Sequence, residues 1–233
     1  MGQFNVDPDI FQRFDGMHLA VAVVEGIDNR TGANALNTFW DDAWSGVNAL
    51  GFDDARKHPY VDAWRQGFRE LGVSMKRFPT SIEALLRRAL KGGDVFRINP
   101  LVDFYNALSL IHVCPAGAFD LDVVDNTVAL RMTRNTDSFQ ALDSDELIQV
   151  DAGEIAYASG DNVLTRHFMW RQSRLALVSE CTRNVFLVSE IPGCAGAEVA
   201  QAMRTSMVDG LSRFFGRDCV STVLSMGDSG YQW

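Results

Sequence analysis

The stretch TRHFMWRQS, Thr165 to Ser173, places a histidine, two arginines, a tryptophan and a glutamine within nine residues. An imidazole titrates near neutrality, so His167 can orient a water or take its proton. Arg171 can grip a phosphate or carboxylate with its planar fork, and Gln172 can bind an amine or a hydroxyl. The segment reads as a strand running into a loop. Along a strand, Arg166, Phe168 and Trp170 point one way and Thr165, His167 and Met169 the other. Each residue also has a plainer reading: His167 as a core histidine satisfied by backbone, Arg166 and Arg171 as solvated or ion-paired surface groups, Trp170 as packing.

A second polar set lies in RINPLVDFYNALSLIHVCPAGAFD, Arg97 to Asp120. Asn99, Asp103 and Asn106 are spaced by four and three, so on a helix they share one face. Leu101, Tyr105, Leu108 and Ile111 lie largely elsewhere and can bury. Asn99 suits an N-cap and Pro100 the first helical position, and the helix is expected to run to about Ile111. The stripe is open to three readings. It is a cap followed by solvated groups, or a buried set satisfying a neighbouring loop, or the support of a site that braces Pro115 to Phe119.

Other chemistries find less support. No G-x-S-x-G elbow occurs, and no Cys or Ser has an obvious histidine partner nearby in sequence, which argues against a covalent nucleophile. Cys114, Cys181, Cys194 and Cys219 form no C-x-x-C pair and read as buried thiols. His18, His58, His112 and His167 are scattered, so neither a metal nor a cofactor is expected.

The elements that must position these residues follow from periodicity. HLAVAVVEGI is a β-branched run expected to be a buried strand. TGANALNTFWDDAWSGVNAL and HPYVDAWRQGFRELG carry helical spacing, the second with Val61, Trp64, Phe68 and Leu71 on one face. FPTSIEALLRRALKGGD has Thr80 and Glu83 spaced as a capping box, with Gly92 and Gly93 as its stop. The pattern then turns to period two: NTVALRMT, GEIAYAS, NVLTRHFMW, LALVSE and NVFLVSEI read as short strands. GAEVAQAMRTSMVDGLSRFFG closes as an amphipathic helix with Val199, Met203, Met207, Leu211 and Phe214 as its core stripe. Helices, then strands, then a helix predict an α+β fold with a mixed or antiparallel sheet and flanking helices. With no internal repeat or linker, one domain over 1–233 is expected.

The net charge of −9 argues against a nucleic-acid coat protein. Local basic sets remain: Arg77, Arg87, Arg88, Lys91 and Arg97, and then Arg166, Arg171, Arg174 and Arg183. No apolar run approaches the roughly 20 residues of a membrane span, and the N-terminus lacks a signal-peptide pattern, so a cytoplasmic protein without membrane partners is expected.

Arg97 to Asp125 resembles a segment of the editing domain in the phenylalanyl-tRNA synthetase β subunit, carried by Ile98-Asn99, Val102-Asp103, Asn106, Pro115 and Ala118-Phe119-Asp120. VALRMTRNTDSFQALD, GEIAYASGDNVLTRHFMWRQS and TRNVFLVSE extend the resemblance. It implies an editing-domain-like core over about 77–190, an N-terminal extension over 1–76 and a C-terminal helix over about 196–216. It also implies a free-standing trans-editing hydrolase whose partner is tRNA or aminoacyl-tRNA, deacylated by water without a metal. Aminoacyl esters are activated, so a positioned water and oxyanion support suffice. On that reading His167 and Gln172 are catalytic. Arg166, Trp170, Arg171, Asn99, Asp103, Asn106 and Gly117 contact or support the substrate. Gly117 stands where the synthetase has a histidine, and Gln172 where it has a glutamate, so the amino acid removed stays open. The alternative is a binding module for tRNA, an amino acid or a protein that uses the same pocket without chemistry.

Overall fold

Two strands are apolar on both faces and set the architecture. His18–Val24 (β2) and Val185–Ile191 (β10) pair antiparallel through the middle of a four-stranded sheet. Ala116–Asp120 (β3) adds to the far side of β10, and Cys219–Leu224 (β11) to the far side of β2. On one face Leu19, Val21, Val23, Phe119, Phe186 and Val188 pack against the second sheet. The alternate residues, among them Ala20, Ala22, Ala118 and Leu187, meet two helices, Pro100–His112 (α5) and Gly196–Phe215 (α6). Burial on both faces is why these strands are near-continuous apolar runs. Gly210 of α6 lets it approach α5 closely, since a Cβ there would lie 2.2 Å from the Phe104 ring.

The computed structural model describes residues 1–30, 32, 34–124 and 127–233. Thr31, Ala33 and Asn126, at the starts of a predicted helix and a predicted strand, and Asp125 at the end of the family-like segment lie outside them.

The second sheet has eight strands. Gln3–Val6 (β1), Thr127–Met132 (β4), Ile155–Ser159 (β7) and Asn162–Arg166 (β8) form its centre. Ser138–Gln140 (β5), Leu147–Gln149 (β6), Arg171–Gln172 (β9) and Gly230–Gln232 (β12) complete it. The β1–β4 and β5–β8 pairings are parallel and the others antiparallel, so the fold is α+β with one mixed and one antiparallel sheet. Residues 1–76 supply β1 to one sheet and β2 to the other, together with helices Pro8–Arg13 (α1), Asn34–Gly46 (α2) and Pro59–Glu70 (α3).

Helix Ser81–Leu90 (α4) has Thr80 as its N-cap, accepting from the Glu83 N–H at 3.3 Å. The Glu83 carboxylate does not complete a capping box; it binds Arg65 of α3 at 2.8 and 2.9 Å. Trp40 and Trp44 of α2 donate to the carbonyls of Phe96 (2.7 Å) and Gly93 (3.1 Å), pinning the loop between α4 and α5. Among the described residues no helix is long and apolar enough to cross a membrane.

Two expected strands differ. The one through Thr165 stops at Arg166, because His167 (φ 45°) and Phe168 (φ 65°) enter the left-handed region, which ends pairing. LALVSE forms no strand: Ala176 and Val178 bury while Leu175 and Leu177 stay exposed, and the bond from the Asp120 N–H to the Ala176 carbonyl does not extend into a ladder.

Candidate functional site

A cavity of about 410 Å³ opens where the two sheets meet α4 and α5. Its size and mostly apolar walls suit a small ligand. Val102, Phe119, Phe168, Met169 and Val188 supply apolar wall. Set into that wall is a polar pair that spans the sheets. Tyr157 of β7 donates its hydroxyl to Glu190 Oε1 of β10 at 2.7 Å, and both side chains are buried. Glu190 Oε2 makes no hydrogen bond to another residue among those described. Burial drives the Glu190 carboxyl up to about 8, against the partial opposing pull of the Tyr157 hydroxyl. Burial, and the nearby Glu190, raise the Tyr157 phenol as well.

This has a measurable consequence. Glu190 is raised from its ordinary 4.5, so between about pH 4.5 and 8 the folded chain keeps a proton that the unfolded chain has lost. The stabilisation is fully present below that window and is lost as pH rises through it, on the order of a few kcal/mol. Urea midpoints should therefore fall from pH 5 to pH 8 more steeply in the native chain than in Glu190→Gln. Parallel slopes for the two would show that Glu190 titrates normally.

Three of the sequence-selected residues line the same cavity as Gly117: Asn106, Trp170 and Gln172. Gln172 is engaged, its amide nitrogen donating to the carbonyls of Ala118 (2.8 Å) and Ala176 (3.3 Å), which ties β9 to the edge of β3. A Cβ on Gly117 would meet nothing within 4 Å, so the glycine leaves open space where a side chain would fit. The Asn106 amide makes no side-chain hydrogen bond among the described residues, unlike its two companions on the stripe.

Those companions support structure elsewhere. Asn99 caps α5 through the Val102 N–H (3.0 Å), accepts from Asn29 (3.0 Å) and donates to the Val178 carbonyl (3.3 Å). Asp103 accepts from the Ile98 N–H at 3.0 Å, and burial raises its carboxyl. The segment after Pro115 is strand β3, held by β10, so Asn99 and Asp103 brace the loops at Asn29, Ile98 and Val178 instead. Asn99→Ala should cost about 1–3 kcal/mol, because it removes a cap and leaves buried partners unpaired. A thermal melt reads this directly; an unchanged midpoint would mean that water replaces all three bonds.

The remaining residues lie outside those that line the cavity, and two of them, Arg166 and His167, gather around Glu154. Arg166 binds its carboxylate through three contacts of 2.6 to 3.1 Å. The same carboxylate accepts from the His167 N–H at 2.6 Å. The His167 ring lies 3.8 Å from the Phe78 ring, and its buried Nε2 has no hydrogen-bond partner. Burial lowers the pKa of this imidazole, against the opposing pull of the Glu154 charge. Arg171 is paired with Asp143. Periodicity passed over Tyr157 and Glu190. The signal was present: an acid near the end of an otherwise apolar strand is a group that needs a partner.

The sequence pattern described as the B3/4 domain matches residues 63–222. No curated protein matches. Among solved structures the chain is similar to an N-terminal fragment of the phenylalanyl-tRNA synthetase beta-subunit from Pyrococcus horikoshii, at 12% identity and a TM-score of 0.48. That match covers 94% of this chain and 53% of the other, so the chain spans about half the length of the fragment.

Proposed function

Because the chain belongs to the B3/4 domain family, we propose that its cavity receives the aminoacyl end of a mischarged tRNA and hydrolyses the ester. The observation that carries this reading is the Tyr157–Glu190 pair, a buried carboxyl facing an apolar cavity with one oxygen free of other residues. A carboxyl titrating near 8 is poised to exchange a proton close to neutral pH. In its ionised form Glu190 accepts a proton from water as the water oxygen attacks the ester carbon. The tetrahedral intermediate then expels the ribose oxygen, which takes that proton back from Glu190. The free Asn106 amide supports the developing oxyanion or the substrate amine. Gly117 makes room for the amino-acid side chain, and Trp170 forms part of its wall. Gln172 holds the cavity edge. His167 and Arg166, both held by Glu154, position the turn that carries Phe168 to Trp170.

The decisive assay incubates the protein with tRNAs charged correctly and incorrectly and follows ester loss. Selective loss from one mischarged species supports the reading and names the amino acid. Asn106→Ala should lower that rate about 10-fold or more and leave the melting midpoint unchanged. An unaltered rate removes Asn106 from the chemistry.

A second reading, a binding module without turnover, is favoured by one observation: among the described residues, no histidine, cysteine or lysine lines the cavity. Ligand binding without ester loss from any charged tRNA is its expected result.

A further inference from the structure

The arginines of the chain are not equivalent. Arg65, Arg97, Arg166, Arg171 and Arg174 each bind a carboxylate. Arg88, by contrast, lines the cavity, is exposed, and has neither an ion pair nor a side-chain hydrogen bond among the described residues. Its guanidinium lies instead 4.2 Å from the centre of the Phe96 ring. Phe96 is itself fixed, since its carbonyl accepts from Trp40 and its ring lies edge-on to Trp40 and Trp44 at 5.8 and 5.7 Å. The guanidinium thus rests against a fixed ring, with no side-chain partner for its donors among the described residues. Such a fork is pre-organised for an oxyanion.

Trp170 forms another part of the same wall and is half-buried. It lies edge-on to Phe78 at 4.6 Å and has the Arg171 guanidinium 5.9 Å from its ring centre, so its indole is supported at the cavity wall. A cation together with an aromatic face is the combination that holds a nucleotide by phosphate contact and base stacking. Among the described residues, the only acid that lines the cavity is Glu190, inside on β10 and bound to Tyr157.

We propose that Arg88 is the anion anchor of this cavity, taking a terminal phosphodiester of an RNA 3′ end while Trp170 stacks against its base. This deepens the hydrolase reading and rests on it for the choice of RNA, because a free amino acid would offer the same oxyanion chemistry through its carboxylate. The two sources separate experimentally.

The test measures binding of a fluorescent RNA ending in CCA by anisotropy over a range of salt, and of free amino acids by calorimetry. The proteins are the native chain, Arg88→Gln, Arg88→Lys and Arg87→Gln. Arg87 is exposed on the same helix and does not line the cavity, so it controls for general charge. Arg88→Gln should weaken RNA binding about tenfold, the size of one charge-assisted hydrogen bond. It should also lower the salt slope by about one. Arg88→Lys should recover the slope and part of the affinity, and Arg87→Gln should match the native chain. An unchanged RNA affinity in Arg88→Gln overturns the proposal, as does no RNA binding by the native chain. A loss confined to free amino acids overturns the RNA assignment and makes Arg88 a carboxylate anchor. RNA binding that depends on Arg88, in a protein that deacylates nothing, keeps the anchor and removes only the hydrolase.

Discussion

Glu190→Gln is expected to slow deacylation of the susceptible mischarged tRNA by about 10²–10⁴-fold, the range of general-base catalysis. The substitution keeps the size of the side chain and an oxygen that can accept from Tyr157, so the bond between the two sheets survives. It removes the group that takes the water proton. Folding is not the source of the loss: Glu190 is mostly protonated at neutral pH, and an amide resembles that neutral form. Single-turnover rates across pH 6 to 9 provide the check. The native rate should climb as pH approaches about 8 and then level off, and the variant should lack that rise. A variant with the native rate and profile would remove Glu190 from the mechanism. Tyr157→Phe tests the partner: it leaves the carboxyl buried without its donor, so the rise in rate should move to higher pH.

The largest effect on stability is expected at Asp137, which is not among the cavity-lining residues but is central to the turn between β4 and β5. Its carboxylate is wholly buried and takes two bonds from Arg131, at 2.6 and 2.8 Å, and one from the Arg134 N–H at 2.8 Å. Arg131 also donates to the carbonyls of Met132 and Gly160. Burial pushes the Asp137 carboxyl up, and these bonds outweigh it and hold the group below its ordinary value. Asp137→Ala strands a buried guanidinium and should cost about 3–5 kcal/mol. Urea denaturation with a common m-value measures it. Replacing both partners with apolar residues, Arg131→Met with Asp137→Leu, should cost less than the single change, because no charge is left unpaired. A single variant that unfolds like the native chain would show that water reaches Arg131. The depressed carboxyl adds a pH dependence of the opposite sign to that of Glu190: its stabilisation is present above the ordinary carboxylate range and is lost on acidification.

Periodicity alone determined the α+β class, the position of every major helix and the two central strands. Each of those segments repeats one local rule over enough residues to be read. Asn99 as the cap of α5 and Thr80 as the cap of α4 were legible for the same reason, since a cap is set within four residues of itself. Gly117 was found only through family resemblance; its place on the cavity wall, and that of Gln172, came from the sheets. Tertiary structure decided the rest. His167 left its strand because two successive left-handed residues turn the chain, and no residue type in HFMW announces that conformation. The polar stripe on α5 was divided, with two members bracing loops and only Asn106 reaching the cavity. Tyr157 and Glu190 are 33 positions apart and lie on different sheets. Their pairing depends on which face of each strand is turned inward and on how the sheets stack. A period-two pattern does show which residues share a face. It carries no information about what that face will meet, and the chemistry of a buried carboxyl is set by what it meets.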